Sequence, residues 1–536
     1  MDKFKKATVW SELFKNQSSE FYNYLSSIYG DDPDLIERKT AKYTEVLSSF
    51  INKYGDEDVI IARAPGRVNL MGRHIEHRGG DINTIAIHKE TIMVASLRQD
   101  DKICISNTNP EFTDFCFSVS EEKNLCDEPD WLDYIENSKV TDTVAKNKGH
   151  WVNYVKGSVL RLLFDTNKVF HGMNIMCLGT VPVAGGVSSS SSIVTCTAEL
   201  VCYANNIEIE QSKFIDLCGQ SEWYVGSRGG AGDHAAIKCG VLNSITPIEF
   251  APIKVLDSIK IPDGYSIIVA DSFIKAKKSE GAKDKFNQMV AAYEFGVMLI
   301  KKNYPEYSDK IVYLRDINPK TLGVSEKKIY EMVLSLPLYI KPSELYEQIS
   351  EEYHKKIEKI TKSHVAPEFY NLRSTILYGI CECERGRICS KLLKSGNIEE
   401  FASIMNISHD GDRVAITVDG EQKPFDYIYT DERIKELIEK CDNNDDTSAL
   451  YLQGGGYGCS IPEIDALVDS VLKEKGVLSS QISGAGLGGC IMIICKKECE
   501  TDVLQFLKEN YYIPNNLSID GALLVKPIKG SMCLEF

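Results

Sequence analysis

The run Gly179-Thr180-Val181-Pro182-Val183-Ala184-Gly185-Gly186-Val187-Ser188-Ser189-Ser190-Ser191-Ser192 joins two apolar segments. Residues 173–178 precede it and predict a strand. Residues 193–203 follow, with the spacing and length of a buried helix. Glycines followed by serines at a strand-to-helix junction have a physical use. The glycines let the backbone curl close to an anion, and the helix N-terminus offers unpaired N–H groups and a positive dipole end. Serine hydroxyls cap such a terminus, bond phosphate oxygens or ligate a magnesium ion. A flexible Gly/Ser linker would not sit between two strongly apolar segments. The run reads as a phosphate cradle, and it is not a Walker A loop, because no Lys follows the glycines.

Composition bounds the rest. With 536 residues the chain is long enough for two or more packed domains. Its 61 basic against 77 acidic residues, a net charge of −16, argue against nucleic-acid or anionic-membrane partners. No apolar run approaches the roughly 18 residues of a membrane span, and no leader-like segment follows Met1. The 17 cysteines have no zinc-type spacing, Cys381, Cys383 and Cys389 being the closest cluster. Reduced, buried thiols in a cytoplasmic protein are expected. No protein partner is legible.

Residues 59–62 predict a strand. It runs through a turn at Pro65-Gly66 into Arg67-Val68-Asn69-Leu70-Met71-Gly72-Arg73-His74-Ile75-Glu76-His77-Arg78-Gly79-Gly80. A polar cluster closed by paired glycines concentrates donors and acceptors, as a polyhydroxylated ligand requires. Gly484, Gly486 and Gly489 satisfy a Gly-x-Gly-x-x-Gly pattern. A β-branched run, 490–495, follows them where a dinucleotide-binding loop would open a helix.

Three motifs in order carry a resemblance. Residues 65–80 resemble the galactokinase signature, 182–192 the phosphate loop, and 482–490 the third motif of the GHMP kinase superfamily. Trp151-Val152-Asn153-Tyr154-Val155-Lys156-Gly157, Ser408-His409 with Arg413, and residues 460–465 resemble further marks of the same family. The likeness spans roughly residues 42–500. Residues 221–234 are similar to the form in plant galactokinases and animal N-acetylgalactosamine kinases.

The resemblance implies an α+β, two-domain GHMP kinase fold with the active site between the domains. It divides the chain into a helical extension (1–40), an N-terminal domain (41–257) and a C-terminal domain (258–536). The last carries a helical insert near 300–365 and an acidic one near 416–450. It also implies transfer of the γ-phosphoryl group of ATP to the anomeric hydroxyl of a galactose-type monosaccharide, with Mg2+.

Carried over residue by residue, Asp233 faces the hydroxyl beside Arg67, and Glu222 and Ser190 hold magnesium. Trp151, Gly185, Gly186, Ser188, Ser189, Ser190, Ser191 and Ser192 meet ATP. Arg73, His74, Glu76, Gly230 and Phe286 meet the sugar. The family has Glu where Arg73 stands, and a guanidinium prefers an anion. That swap suits a C6 carboxylate, as in galacturonate, rather than plain galactose; pairing with Glu76 is its alternative. A sugar- and ATP-binding sensor without turnover is the reading from another class, disfavoured by the unbroken serine run.

Overall fold

The computed structural model describes residues 4–536 apart from 167, 169, 184, 276–280 and 282. Residues 1–3 of the expected extension and Ala184 of the cradle lie outside the described residues.

Two long antiparallel strands, Asp58–Met71 and Ile82–Leu97, organise the N-terminal half. Successive side chains of a strand point to opposite faces. Ile60, Ala62, Met93 and Ala95 therefore enter one core, and Val59, Ile61, Ile92 and Val94 the other. Both faces are covered, so the strands are apolar throughout rather than alternating. The sheet continues through Met173–Gly179, Lys102–Asn107 and Phe115–Ser118. Helices Val152–Thr166 and Ser189–Ala204 cover the first face.

Helices Ala7–Asn16, Ser19–Tyr29 and Pro33–Tyr54 cover the second face. The expected polar extension is thus corrected. Trp10, Phe14, Phe21, Leu25 and Ile28 are fully packed on the sheet, each such side chain contributing about 1.5–3 kcal/mol. A boundary at residue 40 would cut Pro33–Tyr54, a helix with clear ends. Asp32 caps Leu35 N at 3.0 Å, Pro33 opens the first turn, and Gly55 closes it at φ 88°. The expected turn at 65–66 is also corrected. The strand runs straight through, absorbing Pro65 and Gly66 in a register shift.

A second sheet orders Val477–Ile482, Cys490–Lys496, Tyr265–Asp271 and Ala522–Leu524. Beside it, Lys283–Asn303 and Arg373–Lys394 share one core with residues 311–357 and with Asp431–Asp442. Both stretches expected as inserts therefore complete a core. The chain then returns to the first sheet, where Met532 pairs with Arg63 and Cys533 with Ala62. A C-terminal domain running to 536 thus gives its last strand to the other half.

The reduced state expected of the cysteines is corrected at one pair. Cys104 and Cys116 lie opposite each other on adjacent strands and form a disulfide. Fifteen cysteines are free. Among the described residues no helix is long and apolar enough to cross a membrane.

Candidate active site

The glycine loops of the two sheets meet backbone to backbone. A Cβ on Gly186 (φ 71°) would lie 2.7 Å from the Ser483 carbonyl oxygen, and one on Gly484 (φ 75°) 2.7 Å from that of Gly186. No side chain fits at either position, so the approach itself requires glycine. Cys490 N–H bonds the Gly185 carbonyl at 3.1 Å, fixing the contact. Beneath it lies a cavity of about 500 Å³ lined by residues of both halves, among them Arg67, Glu76, Ser189, Glu222, Asp233 and Gly484. The helix Ser189–Ala204 starts on this wall after Ser188, held left-handed at φ 64°, so that its first turn, with N–H groups that lack intrahelical acceptors, borders the cavity.

Asp233 stands in the first turn of Gly232–Cys239. Arg67 reaches its Oδ1 through Nε at 2.7 Å and Nη2 at 2.6 Å, and binds the Gly186 carbonyl through Nη1 at 2.9 Å. The Ser188 hydroxyl donates to Oδ2. Burial alone would raise the Asp233 carboxyl. The Arg67 guanidinium and the Ser188 hydroxyl outweigh it and hold the group below its usual range. The Asp233 side chain is 39% exposed, against 7% for Arg67, so the carboxylate presents a face to the cavity while its partner stays covered.

Glu222 lies at the end of the helix Gln211–Ser221. The serine that meets it is Ser191, whose Oγ donates to Oε1 at 2.8 Å. Ser190, expected to share the magnesium with Glu222, lines the same cavity beside Tyr154. The first turn of Ser189–Ala204 aims successive hydroxyls about 100° apart, and Ser191 is the one that meets Glu222 directly. His234 Nε2 stands 3.5 Å from Glu222 Oε1. Burial pushes Glu222 up, but His234 and the Ser191 hydroxyl bring it below its usual value. Ser192 is corrected. Its hydroxyl is buried against the Ala64 carbonyl at 2.7 Å and Thr91 Oγ1 at 2.8 Å, behind the cavity lining that Ser188 to Ser191 join.

The cavity floor is the turn around residues 72–80. Arg73 lies in the cavity lining, but its guanidinium turns toward the C-terminal half. Its Nη2 donates to Asp412 Oδ2 at 2.6 Å and to Ser408 Oγ at 3.1 Å, its Nε to Asp412 at 3.2 Å, and its Nη1 to Gln481. Four of its five N–H groups are thus engaged within the protein, and the expectation that it meets a sugar carboxylate is corrected. Its partner is Asp412 and not Glu76. Glu76 instead packs under Gly230, where a Cβ would lie 3.0 Å from Oε1, with His77 Nδ1 3.6 Å from the same oxygen. Burial pushes Glu76 up, and His77 more than offsets it, leaving the group low. His74, Phe286 and Trp151 all line the cavity; the Trp151 indole N–H bonds the Thr113 carbonyl at 3.3 Å.

Three family models match along the chain, in the order of its motifs. A galactokinase galactose-binding signature covers residues 48–97, the GHMP kinase N-terminal domain 153–241, and the GHMP kinase C-terminal model 432–513. The chain belongs to the GHMP kinases and is galactokinase-like.

Among its relatives are the galactokinases of Dictyostelium discoideum, 23% identical over 89% of each chain, and of Saccharomyces cerevisiae, 23% identical over 92% of this chain and 95% of that one. The structure of Lactococcus lactis galactokinase complexed with galactose shares the fold. Its TM-score is 0.63 at 19% identity, over 91% of this chain and 98% of that one. This GHMP kinase is an ATP-dependent sugar kinase. Sequence reasoning missed four of its site groups: Asp412, Gln481, His234 and Ser483. The first two pair with Arg73 from over 330 positions away, a separation that no local motif reveals. Ser483 Oγ bonds the Gly186 carbonyl at 3.1 Å, and it lies within the third motif beside the glycines, the signal that could have found it.

Proposed function

We propose that this kinase transfers the γ-phosphoryl group of ATP to the anomeric hydroxyl of a neutral, galactose-type sugar. The observation that carries the reading is the Asp233 carboxylate, held ionised by Arg67 and Ser188 beside a helix N-terminus. Phosphoryl transfer needs an aimed hydroxyl and a cationic surround more than covalent help. Asp233 accepts the sugar hydroxyl's hydrogen bond and aims its oxygen. A carboxylate this acidic is a weak base, so it takes the proton only as the new O–P bond forms. Arg67 keeps Asp233 charged and stands beside the transferring group. The open N–H groups of Ser189–Ala204 hold the phosphates.

A magnesium ion fits the oxygen donors at Glu222 and the serine run, which offer a hard cation a carboxylate and hydroxyls. When bound, it would neutralise phosphate charge; Glu222 and Ser191 are the residues that would hold it. A neutral sugar follows from the floor. Glu76 and Asp233 are held ionised, and Arg73, the cation that would have met a sugar carboxylate, is spent on Asp412. Phosphorus NMR of the product from galactose and ATP tests the site of transfer. A phosphate coupled to the anomeric proton is expected. A phosphate coupled to the C6 protons, or no sugar phosphate from any hexose, would overturn the assignment.

A further inference from the structure

His74, Asp412 and Cys459 converge behind the cavity floor, all three buried. Cys459 Sγ lies 3.3 Å from His74 Nε2 and 3.2 Å from Asp412 Oδ1, and the latter two atoms are 3.6 Å apart. Among the described residues it is the one group of three or more His, Cys, Asp or Glu side chains spaced to hold a metal. A tetrahedral zinc ion, with bonds of about 2.3 Å to sulfur and about 2.0–2.1 Å to nitrogen and oxygen, separates its ligand atoms by about 3.3–3.6 Å. The two sulfur edges found here are a few tenths of an ångström shorter than that triangle sets and the nitrogen–oxygen edge a little longer, so small side-chain shifts would seat the ion.

The surroundings hold the ligands in place. Arg73 occupies Asp412 Oδ2 and leaves Oδ1 for the cluster. The His74 ring stacks on Tyr457 at 4.4 Å and 14°, and its backbone sits left-handed at φ 63°, a conformation that packing must enforce. The cluster adjoins the cavity. His74 and Gly486 both line the cavity, and a Cβ on Gly486 would lie 2.6 Å from Cys459 Sγ. Gly486 therefore packs directly on the thiol, and the cluster borders the cavity through His74 and Gly486.

We infer that His74 Nε2, Asp412 Oδ1 and Cys459 Sγ form a site for a thiophilic divalent cation of the zinc class, distinct from the magnesium of the phosphoryl transfer. Sulfur selects against magnesium and calcium, and imidazole with thiolate suits zinc. Binding forms metal–sulfur, metal–nitrogen and metal–oxygen bonds and breaks the Cys459 S–H bond, whose proton leaves to solvent; no electrons change hands. The ion would tie the 72–80 turn to the end of the helix Ile398–Asp412 and to the loop before Pro462.

Titration of the chelator-stripped, full-length protein with Co2+ tests the site. One equivalent should bring thiolate-to-cobalt charge transfer and the visible bands of a tetrahedral site, bleached by Zn2+. Cys459→Ser should abolish the charge transfer, which separates this thiol from the other free cysteines. Asp412→Asn, which keeps an acceptor for Arg73, should weaken binding by about tenfold or more while the sulfur band persists. A wild-type protein without charge transfer, a band that survives in Cys459→Ser, or one that needs many equivalents of metal would overturn the site.

Discussion

Arg73 and Asp412, 339 positions apart, form a buried ion pair in which Oδ2 receives both Nη2, at 2.6 Å, and Nε, at 3.2 Å. Neither side chain is exposed by more than 2%. The pair pins the turn that floors the cavity to the C-terminal half, and it takes out of play a cation that would otherwise select an acidic ligand. Breaking such a pair costs about 3–5 kcal/mol, because a buried charge is left without compensation. Arg73→Met should therefore lower the denaturation midpoint strongly in urea. Arg73→Met with Asp412→Leu should recover most of the loss. A single variant as stable as wild type would remove the pair from the account.

Asp233→Asn should leave ATP affinity and fold intact and reduce kcat by about 10²–10⁴-fold, the range for a lost proton acceptor. An amide aims a hydroxyl but holds neither the charge nor the proton. The same carboxylate sets a pH expectation. Because Arg67 and Ser188 depress it, its active, ionised form is complete at neutral pH and is lost only as pH falls through its lowered value. The acid limb of kcat/KM should lie below the ordinary carboxylate range, and Ser188→Ala should move it upward.

Glu222→Gln and Ser191→Ala should each raise the Mg2+ concentration for half-maximal rate more than they raise the sugar KM. Hard cations keep few protein ligands, so losing one shows first in the metal titration. Ser190→Ala, whose hydroxyl turns to Tyr154, should change the metal dependence less than Ser191→Ala. The reverse order would restore the pairing suggested by the motif.

Asp81 sits beside the floor turn, and its carboxyl is pushed up from 3.8 to about 6, by burial first and then by Glu249. The folded chain keeps this proton where the unfolded chain has lost it. The stability it brings is complete below about pH 4 and is lost as pH rises through about 6. Asp81→Asn imitates the protonated form. It should raise Tm relative to wild type at pH 8, by on the order of 1–3 kcal/mol of stability, with the difference closing toward pH 4. Calorimetry at the two pH values reads this directly; a constant offset would contradict it.

The parts of this kinase legible in its sequence are those whose chemistry is local. The glycine–serine run announces its strand, its helix and its place on the cavity wall within fourteen positions, and the glycines of the third motif foretell a close backbone approach. Asp233 and Arg67 were legible as a pair only through resemblance, since 166 positions separate them. Arg73 was misread for the same physical reason. Its charge was visible and its partner was not, because Asp412 reaches it only once the helix Ile398–Asp412 is packed. The first helices passed for a polar extension because each buries one face and solvates the other, so that Trp10, Phe14 and Phe21 are diluted by the charged residues between them. Ser191 and Ser190 differ only in where the helix turns them, which a run of identical residues cannot express.

Initial rates of ADP release with galactose, galacturonate, N-acetylgalactosamine and arabinose bear most directly on the central claim, a neutral galactose-type acceptor aimed by Asp233. With Glu76 and Asp233 ionised and Arg73 paired to Asp412, kcat/KM for the best neutral sugar should exceed that for galacturonate by about 10²-fold or more. Galacturonate turning over as well as or better than every neutral sugar would contradict it.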